Sequence, residues 1–124
     1  MLLAAGLTER IIALAIEVHR HTGQGLLESV YEQCLCYELQ RAGLPFERQV
    51  AIPVTYKDAQ IGEGFRADIV VDRQVILEIK SVATILPAHE AQLQTYLRMS
   101  GIKIGLILNF NASRLIDGLR RFVV

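Results

Sequence analysis

The chain has 124 residues, 52% of them hydrophobic and 21% charged, and its formal net charge is zero. This length and composition predict one folded, soluble domain over residues 1–124. Proteins that bind long nucleic acid tightly and without sequence preference usually have a strong basic excess, so the neutral balance is evidence against that class. It leaves room for a local basic groove.

The apolar stretch at the start of the chain is short, and Glu9 and Arg10 interrupt it before it could cross a bilayer. Cys34 and Cys36 are two positions apart on a predicted helix. Their side chains then point in different directions and cannot readily form a disulfide. We therefore expect reduced thiols, a cytoplasmic protein and no membrane partner.

Two helices are predicted before the first strand. Thr8 is a suitable N-cap for a helix over about 9–21. A second helix covers about 27–42, with Gly43 in the position after its end. One face of this second helix carries two carboxylates and two apolar side chains: Glu28, Tyr31, Glu32 and Leu35.

The middle of the chain is predicted to form three strands. Residues 46–56 alternate in polarity, and Pro53 among them indicates a sheet edge or a strand end. Strands over about 65–71 and 75–82 form a hairpin around the turn Asp72-Arg73-Gln74. Two glycines that precede the hairpin indicate a bulge or a close backbone approach.

After the hairpin, Pro87 predicts the first turn of a helix that ends before Gly101. The continuous apolar run over 104–110 predicts a buried strand. Residues 115–124 predict a last edge strand, with a short helix as the alternative. The order α-α-β-β-β-α-β-(β) defines an α+β fold, a mixed sheet flanked by helices.

Three charged side chains interrupt the apolar hairpin: Asp68 on its first strand, and Glu78 and Lys80 on its second. Glu78 and Lys80 share a face because side chains alternate along a strand. A three-residue loop sets Asp68 opposite Glu78 and matches apolar residues elsewhere, whereas a two-residue loop would pair Val71 with Gln74. Two carboxylates about 5 Å apart repel each other unless a divalent cation lies between them. The pattern therefore predicts a site for metal-assisted hydrolysis, with two carboxylates and one lysine.

An ordinary ion pair is the alternative. A salt bridge from Lys80 to Glu78 or Asp68 at a sheet edge would also account for these charges, and spacing alone does not decide between the two.

The spacing Asp68-x9-Glu78-x-Lys80 on a β-hairpin resembles the signature of the PD-(D/E)xK nuclease superfamily. Ala67 stands where the superfamily name has proline, a position that varies among its members. The resemblance covers the chain from about residue 7 to residue 124. It implies a restriction-endonuclease-like core with the order α-β-β-β-α-β and α/β/α-like layers.

Two further motifs agree with this resemblance. Gly25, Glu28 and Tyr31 match the motif that names the GxxExxY protein family, a branch of the superfamily. Gln92 and Tyr96 then follow as the QxxxY motif of some branches. The three motifs in this order are more specific than any one of them.

The resemblance implies roles for individual residues. The metal, Mg²⁺ or Mn²⁺, would be bound by Asp68, Glu78, the backbone carbonyl of Ile79 and, as the first-helix acid, Glu28. Lys80 would position or activate the attacking water, or stabilise the charged transition state. Gln92 and Tyr96 would line the side of the site that faces DNA. Glu28 also suits a helix N-terminus without any metal, and Tyr96 also suits core packing.

The function that follows is metal-dependent hydrolysis of phosphodiester bonds in DNA, with RNA as the alternative substrate. The alternative is a module that keeps the nuclease fold but does not cleave, and that binds nucleic acid or another protein. Neutral charge and small size are compatible with a homodimer or with a partner protein. A hydrolase of small phosphoesters is a third, weaker alternative.

Overall fold

The structure is a computed structural model that describes residues 5–124, apart from the side chain of Glu63. Its elements follow the predicted order of two helices, three strands, a helix and further strands. In chain order they are α1 (Ala5–Thr22), α2 (Glu28–Arg41), β1 (Phe46–Tyr56), β2 (Ala59–Val71), β3 (Val75–Lys80), α3 (Pro87–Ser100), β4 (Ile104–Asn109), a 3₁₀ turn (Leu115–Gly118) and β5 (Leu119–Val123). The predicted fold class, an α+β fold with a restriction-endonuclease-like core, is confirmed.

The five strands form one mixed sheet in the order β1-β2-β3-β4-β5. β3 and β4 are parallel, and the other neighbouring pairs are antiparallel. A parallel pair needs a crossover connection, which α3 provides between β3 and β4. All six residues of β4 are buried, as expected for a central strand covered on both faces.

Helices cover both faces of the sheet. α1 and α2 pack on one face through a large apolar core, and α3 packs on the other face through a smaller one. Alternation along β3 sends Leu77 to the first core and Ile76 to the second. Among the helices of residues 5–124, none has the length and apolar character that crossing a membrane requires.

The predicted start of α1 is wrong. The helix already includes Ala5, and Thr8 lies inside it rather than at its N-cap. The buried Thr8 hydroxyl donates to the carbonyl of Ala5 (3.0 Å) and accepts from the guanidinium of Arg121 (2.8 Å). With these two partners the hydroxyl is satisfied at a position inside the helix, so it does not cap the helix end.

The predicted register of the β2–β3 hairpin is confirmed. Val71 pairs with Val75, Val70 with Ile76 and Ile69 with Leu77 around a three-residue turn. Two turn residues, Asp72 and Arg73, take left-handed backbone conformations (φ 50° and 56°). The backbone ladder ends at the Ile69–Leu77 pair, so the next position on each strand holds Asp68 or Glu78.

The outer ends of both hairpin strands differ from the prediction. β2 begins at Ala59 rather than near residue 65, because the residues before the hairpin already pair with β1. β3 ends at Lys80, two residues early, because the backbone of Val82 turns to the Asn109 side chain. Residues 115–124 contain both predicted alternatives, the 3₁₀ turn followed by the edge strand β5.

The predicted bulge lies in the β1–β2 pair, where the register shifts between Ile52 and Val54. Gly64 lies opposite this shift with φ +66°. A Cβ added there would lie 2.5 Å from Val54 Cγ2 and 2.6 Å from the Ile52 carbonyl oxygen. A glycine is required because backbone atoms occupy the space that a side chain would fill.

We predict that Gly64→Ala destabilises the protein by about 1–3 kcal/mol relative to Gly62→Ala, measured by urea unfolding. Gly62 has a similar φ (+57°), but an added Cβ there meets nothing within 4 Å. The pair therefore separates the steric clash from the cost of the left-handed conformation. Equal free energies of unfolding for the two variants would contradict the close approach.

Candidate active site

Where the backbone ladder of β2 and β3 stops, the side chains of Asp68 and Glu78 accept hydrogen bonds from the backbone of the opposite strand. The Ile79 N–H donates to Asp68 Oδ2 (2.8 Å), and the Asp68 N–H donates to Glu78 Oε1 (3.4 Å). The carboxylates thus take the place of the carbonyl groups that a further ladder pair would supply. Both are fixed on adjacent interior strands of the sheet.

Burial makes this carboxylate pair electrostatically unfavourable. Glu78 is 5% exposed, and burial, followed by the nearby charge of Asp68, raises its pKa to about 8. The pKa of Asp68 is also raised, chiefly by burial, although the bond from Ile79 lowers it. Two desolvated carboxyls side by side favour holding a proton, or binding a cation, over carrying two negative charges.

Lys80 lies next to the pair without bonding to it. It shares the β3 face of Glu78, and its charge lowers the pKa of both Glu78 and Asp68. In the part of the chain that the structure describes, Lys80 forms no ion pair with either carboxylate. The salt bridge predicted as the alternative is therefore not formed. The strands that carry these residues, β2 and β3, are also interior strands rather than edge strands.

The segment after Lys80 is held by two side chains from other elements. Glu28, at the start of α2, accepts the Ser81 N–H at Oε2 (3.1 Å). Asn109, at the end of β4, donates to the Val82 carbonyl (2.9 Å) and accepts the Val82 N–H (3.1 Å). The predicted first-helix acid thus reaches the end of β3, one residue beyond Lys80.

The two α3 residues of the predicted site differ in position. Tyr96 is 4% exposed, and its ring packs on Phe65 with centroids 5.1 Å apart. Burial, followed by the charges of Glu78 and Asp68, raises the pKa of Tyr96 to about 12, so this side chain borders the carboxylate pair. Gln92, one turn earlier, is exposed.

Sequence analysis missed a network next to the site. Glu32, on α2, is 5% exposed and accepts bonds from Arg48 Nε (3.0 Å) and Gln49 Nε2 (3.0 Å). Its charge raises the pKa of both Asp68 and Glu78, so it lies near the pair. The sequence signal that could have identified Glu32 is its place on a helix face that also carries Tyr31 and Leu35.

The donor set fits a hard divalent cation. No three His, Cys, Asp or Glu side chains within the described residues are gathered into a ready-made metal cage. Mg²⁺ usually needs only one or two carboxylates, with waters and substrate oxygens completing its shell. In a strand, the N–H and C=O of one residue point to the same side, so the Ile79 carbonyl lies on the side of Asp68, as its N–H does.

Comparison with known protein families gives a match. The model of a protein family described as the PD-(D/E)XK nuclease superfamily matches residues 5–122. No curated protein and no solved structure matches the chain significantly.

The pKa of Glu78 predicts how the stability of the metal-free protein depends on pH. The folded value of about 8 exceeds the ordinary 4.5, so the folded state keeps a proton that the unfolded state loses. Stability from this group is full below pH 4.5 and is lost as pH rises through about 8. We expect the melting temperature in EDTA to fall over this range, and Glu78→Gln to reduce the fall.

The matched control for this prediction is Glu9→Gln, at an exposed carboxylate on α1. It should follow the wild-type dependence on pH. A wild-type profile as flat as that of Glu78→Gln would show that Glu78 ionises in its ordinary range.

Proposed function

Since the chain belongs to the PD-(D/E)XK nuclease superfamily, we propose that it is a nuclease that hydrolyses phosphodiester bonds in DNA with the help of Mg²⁺ or Mn²⁺. One observation carries the proposal: the half-buried Asp68 and the buried Glu78 lie side by side, and no cation of the described residues is paired with either. A structural ion pair would place a cationic side chain between them.

The metal would be held by Asp68, Glu78 and the Ile79 carbonyl oxygen. All three are the hard oxygen donors that these ions prefer. When bound, the ion supplies Lewis-acid polarisation of the phosphate and neutralises charge that develops there. Glu28 belongs to this proposal as the further carboxylate that would reach the metal; one of its oxygens, Oε2, accepts the Ser81 N–H.

Lys80 has the catalytic role in this proposal. Its ammonium is free of an ion pair in the described part of the chain and lies on the face that carries Glu78. From there it can orient the attacking water by hydrogen bonding and stabilise negative charge on the phosphate oxygens. Its position depends on the segment that Glu28 and Asn109 fix.

The remaining predicted residues support substrate binding. Gln92 is exposed on the same helix whose Tyr96 borders the carboxylates, so it can reach a backbone or a base of the bound strand. With no net charge to hold duplex DNA tightly, the protein would gain affinity from a second copy or from a partner protein. Assignment to the GxxExxY branch and a cytoplasmic location belong to this proposal as well.

The experiment that tests the function is cleavage of single-stranded, duplex and branched DNA, and of RNA, with Mg²⁺, with Mn²⁺ and with EDTA. Metal-dependent cleavage of DNA is the expected result. Binding of any of these substrates without cleavage would instead support the module that does not cut. Preferred cleavage of RNA would overturn the choice of DNA.

We predict that Lys80→Ala lowers the cleavage rate at least about 100-fold while leaving metal affinity and melting temperature near those of the wild type. The reason is that Lys80 acts on water and the transition state rather than on the ion. Lys103→Ala, at an exposed lysine before β4, is the matched control and should cleave normally. Undiminished cleavage by Lys80→Ala would remove this lysine from the mechanism.

We also predict that Asp68→Asn melts at or above the wild type in EDTA and below it in saturating Mn²⁺. The asparagine removes the charge of Asp68, and with it a repulsion of a fraction of a kcal/mol up to about 1 wherever Glu78 is also ionised. Its oxygen can still accept the Ile79 N–H. A ligand at about a hundred times its dissociation constant stabilises the folded wild type by about 2.7 kcal/mol.

Four melting curves test this reversal: the wild type and the variant, each with EDTA and with Mn²⁺. A wild type indifferent to Mn²⁺, with a variant clearly less stable in EDTA, would make Asp68 a structural residue and reject the metal site.

A further inference from the structure

Gln49 has an unusual backbone conformation at the position of β1 that faces Asp68. Its neighbours Arg48 and Val50 pair with Ile69 and Ala67, on either side of Asp68. Its φ is 50°, a left-handed value that an ordinary side chain adopts at a cost in free energy. Such a conformation persists in a strand only where surrounding contacts impose it.

The left-handed residue also breaks the alternation of β1. Phe46 packs with the core under α1 and α2, whereas Val50 and Ile52 pack with the core under α3, although all three are an even number of positions apart. Arg66 donates to the Gln49 carbonyl (3.0 Å) and holds the backbone in place. The kink thus lies at the point where the strand changes the face that it buries.

The Gln49 side-chain amide lies between two carboxylates. Its nitrogen donates to Glu32 Oε1 (3.0 Å) and Oε2 (3.2 Å). It also faces Asp68 across the β1–β2 pair, close enough to lower the pKa of that carboxyl group. A primary amide carries two N–H donors, so one group can serve both acids.

Glu32 is the anchor of this arrangement. It is buried, and Arg48 binds it through Nε (3.0 Å) and a terminal guanidinium nitrogen (2.9 Å). The Arg48 charge partly offsets that of Glu32, which still raises the pKa of Asp68. The amide of Gln49 is therefore tied to a fixed, ion-paired partner on α2.

We infer that Gln49 is a positioning residue, which sets the orientation of the Asp68 carboxylate and is itself held by Glu32 and Arg48. The inference rests on the proposed function, because it concerns the carboxylate that would hold the metal. The Ile79 N–H fixes one oxygen of Asp68, and the Gln49 amide, held by Glu32, faces the carboxylate from the side of β1. Outer hydrogen-bond partners of this kind orient metal ligands and tune their affinity.

Gln49→Asn is the decisive variant. Asparagine keeps the amide and adopts left-handed conformations more readily than glutamine, but it is one methylene shorter and cannot span both acids. Gln49→Gly removes the side chain and tolerates the same φ, so it serves as a second variant should asparagine repack. Gln40→Asn, at an exposed glutamine of α2, is the matched control.

The readouts are the Mn²⁺ dissociation constant by calorimetry, and kcat and KM for DNA cleavage. We expect both Gln49 variants to weaken Mn²⁺ binding about 10- to 100-fold and to lower kcat. KM should stay within about twofold of the wild type, because a positioning residue for Asp68 does not contact DNA. Gln40→Asn should match the wild type in all three quantities.

Two results would overturn the inference. Gln49 variants that melt at a lower temperature but bind Mn²⁺ and cleave as the wild type does would give Gln49 a purely structural role. Gln49 variants that equal the wild type in melting temperature, Mn²⁺ affinity, kcat and KM would also overturn it. Failure of the proposed function is distinguishable, because the wild type itself would then neither bind Mn²⁺ nor cleave, and the inference would fall with it.

Discussion

The exchange of hydrogen bonds between Asp68 and the Glu78-Ile79 segment is the interaction on which the rest of the site depends. It occurs where the β2–β3 ladder ends, so two side chains complete a pairing that backbone groups begin. The cost is that a half-buried and a buried carboxyl group lie together, and their desolvation raises the pKa of each. A stable fold that keeps such a pair is storing electrostatic free energy that a cation can release.

The surrounding elements hold this pair and the neighbouring lysine from three sides. The parallel pairing of β3 with β4 places Asn109 beside Lys80, and α2 places Glu28 one residue further on. α3 closes the apolar side with Tyr96. These contacts use rigid elements rather than mobile loops, which suits a site whose groups must keep fixed distances.

The sequence was sufficient to predict those features of the fold whose deciding contacts are local or strictly periodic. Apolar matching selected the hairpin register, and proline and glycine located both ends of α3, because these effects need only neighbouring residues. Thr8 was misplaced because its hydroxyl partner, Arg121, is 113 positions away. The roles of Glu32 and Gln49 were missed because they depend on a left-handed backbone that no local residue type signals.

Proton release on metal binding tests the central claim most directly, namely that Asp68 and Glu78 form a protonated pair that a divalent cation can bind. Because the pKa of Glu78 is about 8, the group holds its proton at pH 7 and must lose it to bind a metal. Calorimetric titration with Mg²⁺ in buffers of different ionisation enthalpy should therefore detect release of about one proton at pH 7 and almost none at pH 9. Binding without proton release at pH 7, or no binding at either pH, would contradict the account.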